Sequence, residues 1–197
     1  MPLEFQVQPL GPHHNRADFS CGVGPLDNYL KRQAAQDVKK RVAAAFVLSP
    51  DGRIIAGYYT LSQFSVELGT VPQHIAKTLP KYPMVPATLI GRLAVSTVFH
   101  GQGLGEMLLM DALHRSLSLS AQIASAAVIV DAKDDHARRF YLKYGFLALP
   151  GVPERLFLPM KTIERLFYRI GSADRGLTTA IVENAWESDG RRPSKGA

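Results

Sequence analysis

The sequence has little of what several classes of protein require. Its single cysteine, Cys21, excludes an internal disulfide, and nothing nearby marks the thiol as an activated nucleophile, so we expect a small buried side chain. The six histidines follow no metal-ligand spacing. No apolar run approaches the roughly 18 residues of a membrane span, and residues 1–6 lack the features of a signal peptide, so we expect a cytoplasmic protein.

Length and charge limit the class of protein further. A chain of 197 residues, 46% of them hydrophobic, is typical of one globular domain with a sizeable core. The formal net charge of +6 favours a polyanionic partner but does not separate a nucleic acid from an anionic cofactor. Basic residues cluster at 31–32 and 39–41, on or just after the first predicted helix. Each cluster is either a nucleic-acid contact or a solvated helix face.

Hydrophobic patterning predicts an α/β layer fold with a mixed sheet, because hairpin-like strands come first and strand–helix–strand units follow. The predicted strands are residues 5–7, 43–48, 53–61, 88–95, 126–131 and 155–160. The predicted helices are residues 24–40, 71–79, 106–113, 134–144 and 162–168, with a proline-rich loop at 80–86. The composition changes from Gly171 onward, where we expect a helical turn at 180–186 and disorder at 188–197.

The most informative segment is the glycine-rich turn His-Gly-Gln-Gly-Leu-Gly at residues 100–105, between a predicted strand and a predicted helix. Such a turn exposes backbone N–H groups beside the positive end of the helix dipole, and glycines let a pyrophosphate approach closely. A P-loop is excluded because no Lys-Ser or Lys-Thr follows. A dinucleotide fingerprint is excluded because Glu106 stands where its last glycine belongs. The alternative is a ligand-free connection.

A second informative segment, at residues 134–146, follows another predicted buried strand. Ala137, Phe140, Tyr141 and Tyr144 recur at helical spacing, and Gly145 suits a helix end that needs a left-handed residue. Taken alone, this pattern is typical of an amphipathic core helix with a C-terminal cap.

Together these segments resemble the GNAT N-acetyltransferases. The turn fits the family's acetyl-CoA pyrophosphate loop, x-x-x-G-x-G, with His100 where the family usually has Gln or Arg. The second segment fits N-x-x-A-x-x-F-Y-x-x-x-G-F, with Asp134 at the Asn position. Further segments at 19–22, 57–62 and 156–161 resemble, in this order and spacing, the GNAT toxins of bacterial type II toxin–antitoxin modules. The resemblance covers roughly residues 3–168.

The resemblance implies both a fold and an activity. The fold is the GNAT acyltransferase fold, a mixed and mostly antiparallel sheet flanked by helices, in residues 1–168, followed by a partly disordered C-terminal extension at 169–197. The activity is acetyl-CoA-dependent acetylation of the α-amine of aminoacyl-tRNA, which blocks translation. The implied partners are charged tRNA and a ribbon-helix-helix antitoxin, with no membrane. Whether the protein forms a homodimer stays open.

The resemblance also implies roles for particular residues. Tyr141 is the expected general acid for the leaving CoA thiolate, since a tyrosine of pKa ~10 can protonate a thiolate whose thiol has a pKa of ~8.5. His100 is either a phosphate donor or only a loop residue, and Arg92 faces either the RNA acceptor end or an acidic core partner. The expected coenzyme contacts are Leu93, Ala94, Val95, His100, Gly101, Gln102, Gly103, Leu104, Gly105 and Asp134. The expected tRNA contacts are Lys31, Arg32, Lys39, Lys40, Arg41 and Arg92.

Two other functions stay open on the sequence. One is a GNAT acetyltransferase of a small amine or a protein N-terminus, against which the basic first helix and the toxin-like N-terminal segment argue. The other is a non-catalytic RNA-binding or partner-binding protein on the same scaffold, against which the intact Tyr141 and turn glycines argue.

Overall fold

The computed structural model of the protein describes residues 4–173. Its centre is a seven-stranded sheet with the order β1-β2-β3-β4-β5-β7-β6. The strands are β1 Gln6–Pro9, β2 Ala44–Ser49, β3 Gly57–Glu67, β4 Met84–Val95, β5 Ala127–Asp131, β6 Leu147–Leu149 and β7 Val152–Pro159. Within this range β4 and β5 are the one parallel pair, so the predicted mixed and mostly antiparallel sheet is confirmed.

Helices cover both faces of the sheet. They are α1 Gly24–Arg32, α2 Ala34–Lys39, α3 Gln73–Ala76, α4 Leu104–Ser120, α5 Asp135–Lys143 and α6 Met160–Ala173. Because successive strand residues point to opposite faces, Val128 and Val130 pack in the cluster beneath α4, whereas Ile129 packs in the cluster that α3 covers. None of these helices, in the range described, has the length and hydropathy that crossing a bilayer requires.

The helix α4 is fixed to the sheet by apolar packing and by a polar network. Leu108 and Leu113 are fully buried against the strands. Tyr59 donates its hydroxyl hydrogen to Asp111, and Arg115 Nε donates to the same carboxylate at 2.8 Å. Burial, with the adjacent Asp111 charge, raises the pKa of Tyr59 well above its ordinary value, so the phenol stays a neutral donor. This anchoring sets the position of the glycine turn at the start of α4.

Several element boundaries differ from those predicted. The helix predicted at 24–40 is interrupted at Gln33, which separates α1 from α2. Part of the loop predicted at 80–86 is strand, because Met84 pairs with Glu67 at the far end of a long hairpin. The short strand β6 had no sequence signal, since three residues are too few to show an alternating pattern.

Only some of the predictions made for the C-terminal part of the chain concern described residues. The helix predicted at 162–168 is present and continues to Ala173, past the expected domain boundary at residue 168. The helical turn expected at 180–186 and the disorder expected at 188–197 lie outside the described residues. The division into a domain at 1–168 and an extension at 169–197 therefore stays a prediction.

The sheet opens between β4 and β5. The two strands pair only where residues 88–90 meet residues 128–130. Beyond this point β4 continues along β3 to Val95, whereas Asp131 of β5 pairs with Arg155 of β7. The edge of β4 that faces β5 is therefore left without a strand partner at residues 92–95, and a wedge-shaped opening results.

Candidate active site

A cavity of about 470 Å³ lies in the opening between β4 and β5. Its walls are the end of β4, the glycine turn, the start of α4 and one side of α5. All the predicted coenzyme contacts except Gln102 and Asp134 line this cavity, and so does Tyr141. The structure thus brings together two sequence segments, 93–105 and 133–141, that are far apart along the chain.

The glycine turn has the backbone geometry of an anion cradle. Gly101 and Gly103 have φ values of 77° and 75°, in the left-handed region that favours glycine. A Cβ added at either position would meet no atom within 4 Å, so protein packing does not require these glycines. The N–H groups of residues 101–105 have no backbone acceptor in the described part of the chain. They adjoin the N-terminus of a 17-residue helix, where an anion is stabilised.

The side chain of Tyr141, on α5, forms part of the wall of the same cavity. Its side chain is 7% exposed, and its ring packs edge-on against Phe140 and Phe146 at 5.2 and 5.4 Å. The hydroxyl has no hydrogen-bond partner among residues 4–168. Burial raises the pKa of Tyr141 well above its ordinary value, so the hydroxyl stays protonated at neutral pH and is available as a proton donor.

His100 and Asp134, the two polar side chains predicted to contact the coenzyme, both bond to the protein. The His100 Nε2 lies 3.0 Å from the Val95 carbonyl oxygen, which ties the glycine turn to the end of β4. Asp134 caps α5 by accepting from the Ala137 N–H at 2.7 Å, and it pairs with Lys133. The Ala137 hydrogen bond is the main reason that the pKa of Asp134 is lowered. A coenzyme contact for either residue stays a prediction.

Five of the six predicted tRNA contacts lie at the C-terminal ends of the two short helices α1 and α2. Lys31 and Arg32 close α1, Lys39 closes α2, and Lys40 and Arg41 follow directly. None of them has an ion-pair partner in the part of the chain that the structure describes. We call these five residues the basic edge.

Arg92 lies apart from the basic edge, on the same face of the sheet as α1. Its guanidinium carbon is 3.5 Å from the centre of the Tyr29 ring, a cation–π contact that holds the side chain in place. Tyr29 is only 3% exposed, and burial raises the pKa of its hydroxyl to about 12. The alternative of an acidic core partner for Arg92 is not what the described residues show.

The cavity also has walls that the sequence patterns did not indicate. Val23 and Leu26 come from the start of α1, and Lys133 and His136 flank the capped start of α5. The last two adjoin the start of the helix predicted at 134–144, but the first two required the tertiary fold. Cys21 lines the cavity as well, and its expected burial is confirmed. Burial raises the pKa of its thiol to about 11, so the thiol stays protonated.

The fold and the cavity together define an acetyltransferase of the GNAT class. Residues 85–161 match the family described as Acetyltransferase (GNAT) domain. Over 169 residues the chain is 32% identical to a probable toxin TacT of Sinorhizobium fredii, with 81% of this chain and 93% of the relative covered. Over 148 residues it is 36% identical to a tRNA-acetylating toxin of Mycobacterium tuberculosis, with 75% and 87% covered. The chain belongs to the GNAT N-acetyltransferase toxins.

Solved structures of toxins of this kind have the same fold. A tyrosine-to-phenylalanine mutant of KacT superposes with a TM-score of 0.78 at 28% identity, covering 83% of this chain and 99% of that one. AtaT complexed with acetyl-methionyl-tRNAfMet gives the same values. An AtaT mutant bound to the C-terminus of the antitoxin AtaR and acetyl-CoA gives 0.71 at 26% identity, with 84% and 99% covered. The GNAT fold expected from the sequence is confirmed.

Proposed function

We propose that this protein is an acetyl-CoA-dependent N-acetyltransferase toxin that acetylates the α-amine of aminoacyl-tRNA and thereby blocks translation. The observation that carries the proposal is the cavity in the β4–β5 opening, with a cradle of free N–H groups at residues 101–105 and the buried Tyr141 on its walls. The relative named as a tRNA-acetylating toxin and the AtaT complex with acetyl-methionyl-tRNAfMet support this choice of acceptor.

The residues of the cavity fit acetyl-CoA. The open space beside Gly101 and Gly103 leaves room for the pyrophosphate, whose charge the N–H groups and the α4 dipole would stabilise. The free edge of β4 at Leu93 and Val95 offers N–H and C=O groups to the pantetheine amides. Bound there, the coenzyme supplies an activated acetyl group as a thioester.

For acetyl transfer the protein has to position the amine and the thioester and to give a proton to the leaving thiolate. An α-amine has a pKa of ~7.7–8.0, and esterification of the neighbouring carboxyl lowers it further, so a useful neutral fraction exists near pH 7. The leaving thiolate resembles that of a cysteine, with a thiol pKa of ~8.5, and Tyr141 can protonate it. Holding amine and thioester together supplies much of the rate.

The basic edge is the proposed binding surface for the tRNA backbone. Phosphate contacts provide affinity without reading sequence, so the choice of substrate would come from the aminoacyl end inside the opening. Arg92, which rests on the Tyr29 ring of α1, is the proposed contact for the acceptor end.

We also propose a ribbon-helix-helix antitoxin as partner and a cytoplasmic location. The relative AtaT is solved with the C-terminus of the antitoxin AtaR, and the complex of KacTA is solved with DNA. Charged tRNA and ribosomes are cytoplasmic, so a toxin with this substrate acts there.

The proposed function predicts transfer of labelled acetyl from acetyl-CoA to charged total tRNA. Deacylated tRNA should take up no label, because it lacks the α-amine. Mild alkaline hydrolysis should release the label as an N-acetyl amino acid, since the ester bond to tRNA is labile. Label that appears equally on deacylated tRNA contradicts the proposal. Label only on polyamines or peptides favours the small-amine or N-terminus alternative instead, and no transfer at all favours a binding protein.

Charge reversal at the basic edge should weaken tRNA binding specifically. We expect the double variant Lys39→Glu, Lys40→Glu to raise the apparent KM for charged tRNA. The salt dependence of binding should also flatten, by a log–log slope of about 0.7–0.9 for each phosphate that the protein no longer neutralises. Arg41 is left unchanged because its φ of 58° makes it a special backbone position. Steady-state kinetics at several salt concentrations provide the measurement.

The matched control for this variant is Lys161→Glu, Arg165→Glu on α6. These two exposed side chains carry the same charge but lie on the other face of the sheet. Acetyl-CoA affinity should be unchanged in both double variants. An equal rise in KM in both would show a general charge effect and would remove the basic edge from the interface.

A further inference from the structure

An ion pair between Asp131 of β5 and Arg155 of β7 lies next to the point where β4 and β5 separate. Asp131 is the last residue of β5, directly after the short stretch that pairs with β4. Two residues later Lys133 lines the cavity. On the opposite side of the opening, Arg92 lies in the part of β4 that has no partner on its β5 side. Asp131 and Arg92 therefore flank the base of the opening.

Both side chains point to the face of the sheet opposite Tyr141. Arg92 shares a face of β4 with Ala94, which packs in the cluster of α1 and Tyr58. Asp131 shares a face of β5 with Ile129, which packs in the cluster of α3 and Val66. Since Tyr58 and Val66 lie an even number of residues apart in β3, these two clusters occupy the same face. An acceptor that enters from this face would meet Asp131 and Arg92 first.

The Asp131 carboxylate is held firmly and keeps free acceptor positions. Arg155 Nε donates to one carboxylate oxygen at 2.7 Å and its second nitrogen donates to the other at 3.0 Å. The guanidinium lies 5.0 Å from the centre of the Phe64 ring, which limits its movement. A carboxylate accepts about four hydrogen bonds, and Arg155 occupies two. The Asp131 side chain is 47% exposed, so the remaining acceptor positions can be reached.

We propose that Asp131 binds the acceptor amine at the mouth of the β4–β5 opening, with Arg155 as the residue that positions it. This inference depends on the proposed function and adds to it a residue that orients the nucleophile. A hydrogen bond from the amine to a fixed carboxylate oxygen would turn the nitrogen lone pair toward the thioester carbon. Asp131 does not itself line the cavity, but it ends β5 directly after the last pair with β4 and lies two residues before Lys133, which does line it.

In the proposed reaction Asp131 also accepts a proton from the amine. As the C–N bond forms, the amine nitrogen becomes positively charged and acidic, and its proton passes to Asp131. As the C–S bond breaks, the sulfur takes its electron pair and receives a proton from Tyr141. The amine thus loses a proton to Asp131 on the sheet face that α1 covers, and the sulfur gains a proton from Tyr141 on the sheet face that α5 covers. Both residues then return to their starting states by exchange with water.

A purely structural pair would behave differently when it is removed. Directly opposite charges stabilise neighbouring strands to a modest extent, and an exposed pair adds little to the stability of the fold. Removal of such a pair would lower the melting temperature slightly and would leave the kinetics of the folded enzyme unchanged. Removal of an amine-binding carboxylate would change kcat/KM for charged tRNA and its pH dependence.

The test compares Asp131→Asn with the wild-type protein in acetyl transfer to charged tRNA. We expect a loss of about 10²-fold in kcat/KM at pH 7, the lower end of a general-base contribution, with acetyl-CoA affinity unchanged. The loss should shrink as the pH rises, because hydroxide can then take the proton that Asp131 accepts in the wild-type protein. Asp131→Glu, which keeps a carboxylate, should recover part of the activity.

Two further variants separate positioning from charge. Arg155→Lys keeps the charge but cannot make the two-pronged hydrogen bond, so we expect an intermediate loss. Glu154→Gln removes an exposed carboxylate from the adjacent residue of β7, whose side chain points to the other face, and should have wild-type kinetics. Circular dichroism and thermal unfolding of each variant confirm that the compared proteins are folded.

The outcomes distinguish this inference from the proposed function. If the wild-type protein acetylates charged tRNA but Asp131→Asn has an unchanged kcat/KM, Asp131 does not bind the amine. A loss that does not vary with pH would show that Asp131 does not accept the proton. If the wild-type protein transfers no acetyl group to charged tRNA, both the inference and the proposed function are overturned.

Discussion

Tyr141→Phe should lower the turnover number by about 10²–10⁴-fold while acetyl-CoA binds as tightly as before, which is the contribution expected of a general acid. The substitution removes only the hydroxyl, and that hydroxyl has no hydrogen-bond partner among residues 4–168. The ring would keep its edge-on packing against Phe140 and Phe146. Single-turnover acetyl transfer to charged tRNA measures the chemical step, and calorimetric titration measures coenzyme affinity.

Tyr144→Phe is the matched control, since it removes a hydroxyl from the C-terminal end of the same helix at a residue that does not line the cavity. Its turnover should stay close to that of the wild-type protein. A Tyr141→Phe protein with a wild-type single-turnover rate would remove Tyr141 from the mechanism. A fall in coenzyme affinity that accounts for the whole loss would make Tyr141 a binding residue instead.

Gly103→Val should weaken acetyl-CoA binding by about 10²-fold or more. The branched side chain would fill the open space beside the turn and hold the pyrophosphate away from the N–H groups. A hydrogen bond to a charged group contributes about 1.5–3 kcal/mol, so the absence of two accounts for a change of this size. Calorimetric titration with acetyl-CoA or CoA provides the measurement.

A valine at a left-handed position also destabilises the fold, by about 1–2 kcal/mol, so the variant needs a control with the same cost. Gly151→Val provides it. Gly151 has a φ of 81° and equally open surroundings, but it lies in the β6–β7 turn and does not line the cavity. Both variants should lose similar stability in thermal unfolding. Unchanged coenzyme affinity in folded Gly103→Val would exclude the turn as the pyrophosphate site.

The parts of the site that the sequence predicted well are local. A glycine turn between a strand and a helix is defined by a few consecutive residues, and its free N–H groups follow from the end of any helix. Tyr141, Phe140 and Ala137 share one side of a short helix because of the 3.6-residue period, whatever surrounds it. The sequence predicted Asp134 only as a coenzyme contact, which stays a prediction, and its capping of α5 was found in the structure.

The parts that the sequence predicted poorly depend on contacts between distant segments. The strand β4 begins at Met84 within a proline-rich stretch, because pairing along the β3 hairpin outweighs local preference. The sequence left two possible partners open for Arg92. The packing of α1 on the sheet places the Tyr29 ring against the Arg92 guanidinium instead. Val23 and Leu26 line the cavity for the same reason.

The sequence by itself determined the class of the protein and the backbone geometry of its glycine turn, because glycine conformation, helix dipoles and side-chain periodicity act over a few residues. Only the tertiary structure decided that the cavity lies in the β4–β5 opening. The β4–β5 opening exists because their pairing ends after residues 90 and 130, and strand register is set by the packing of whole sheet faces. The same register places Asp131 of β5 opposite Arg155 of β7, a pairing of distant segments that no local pattern encodes.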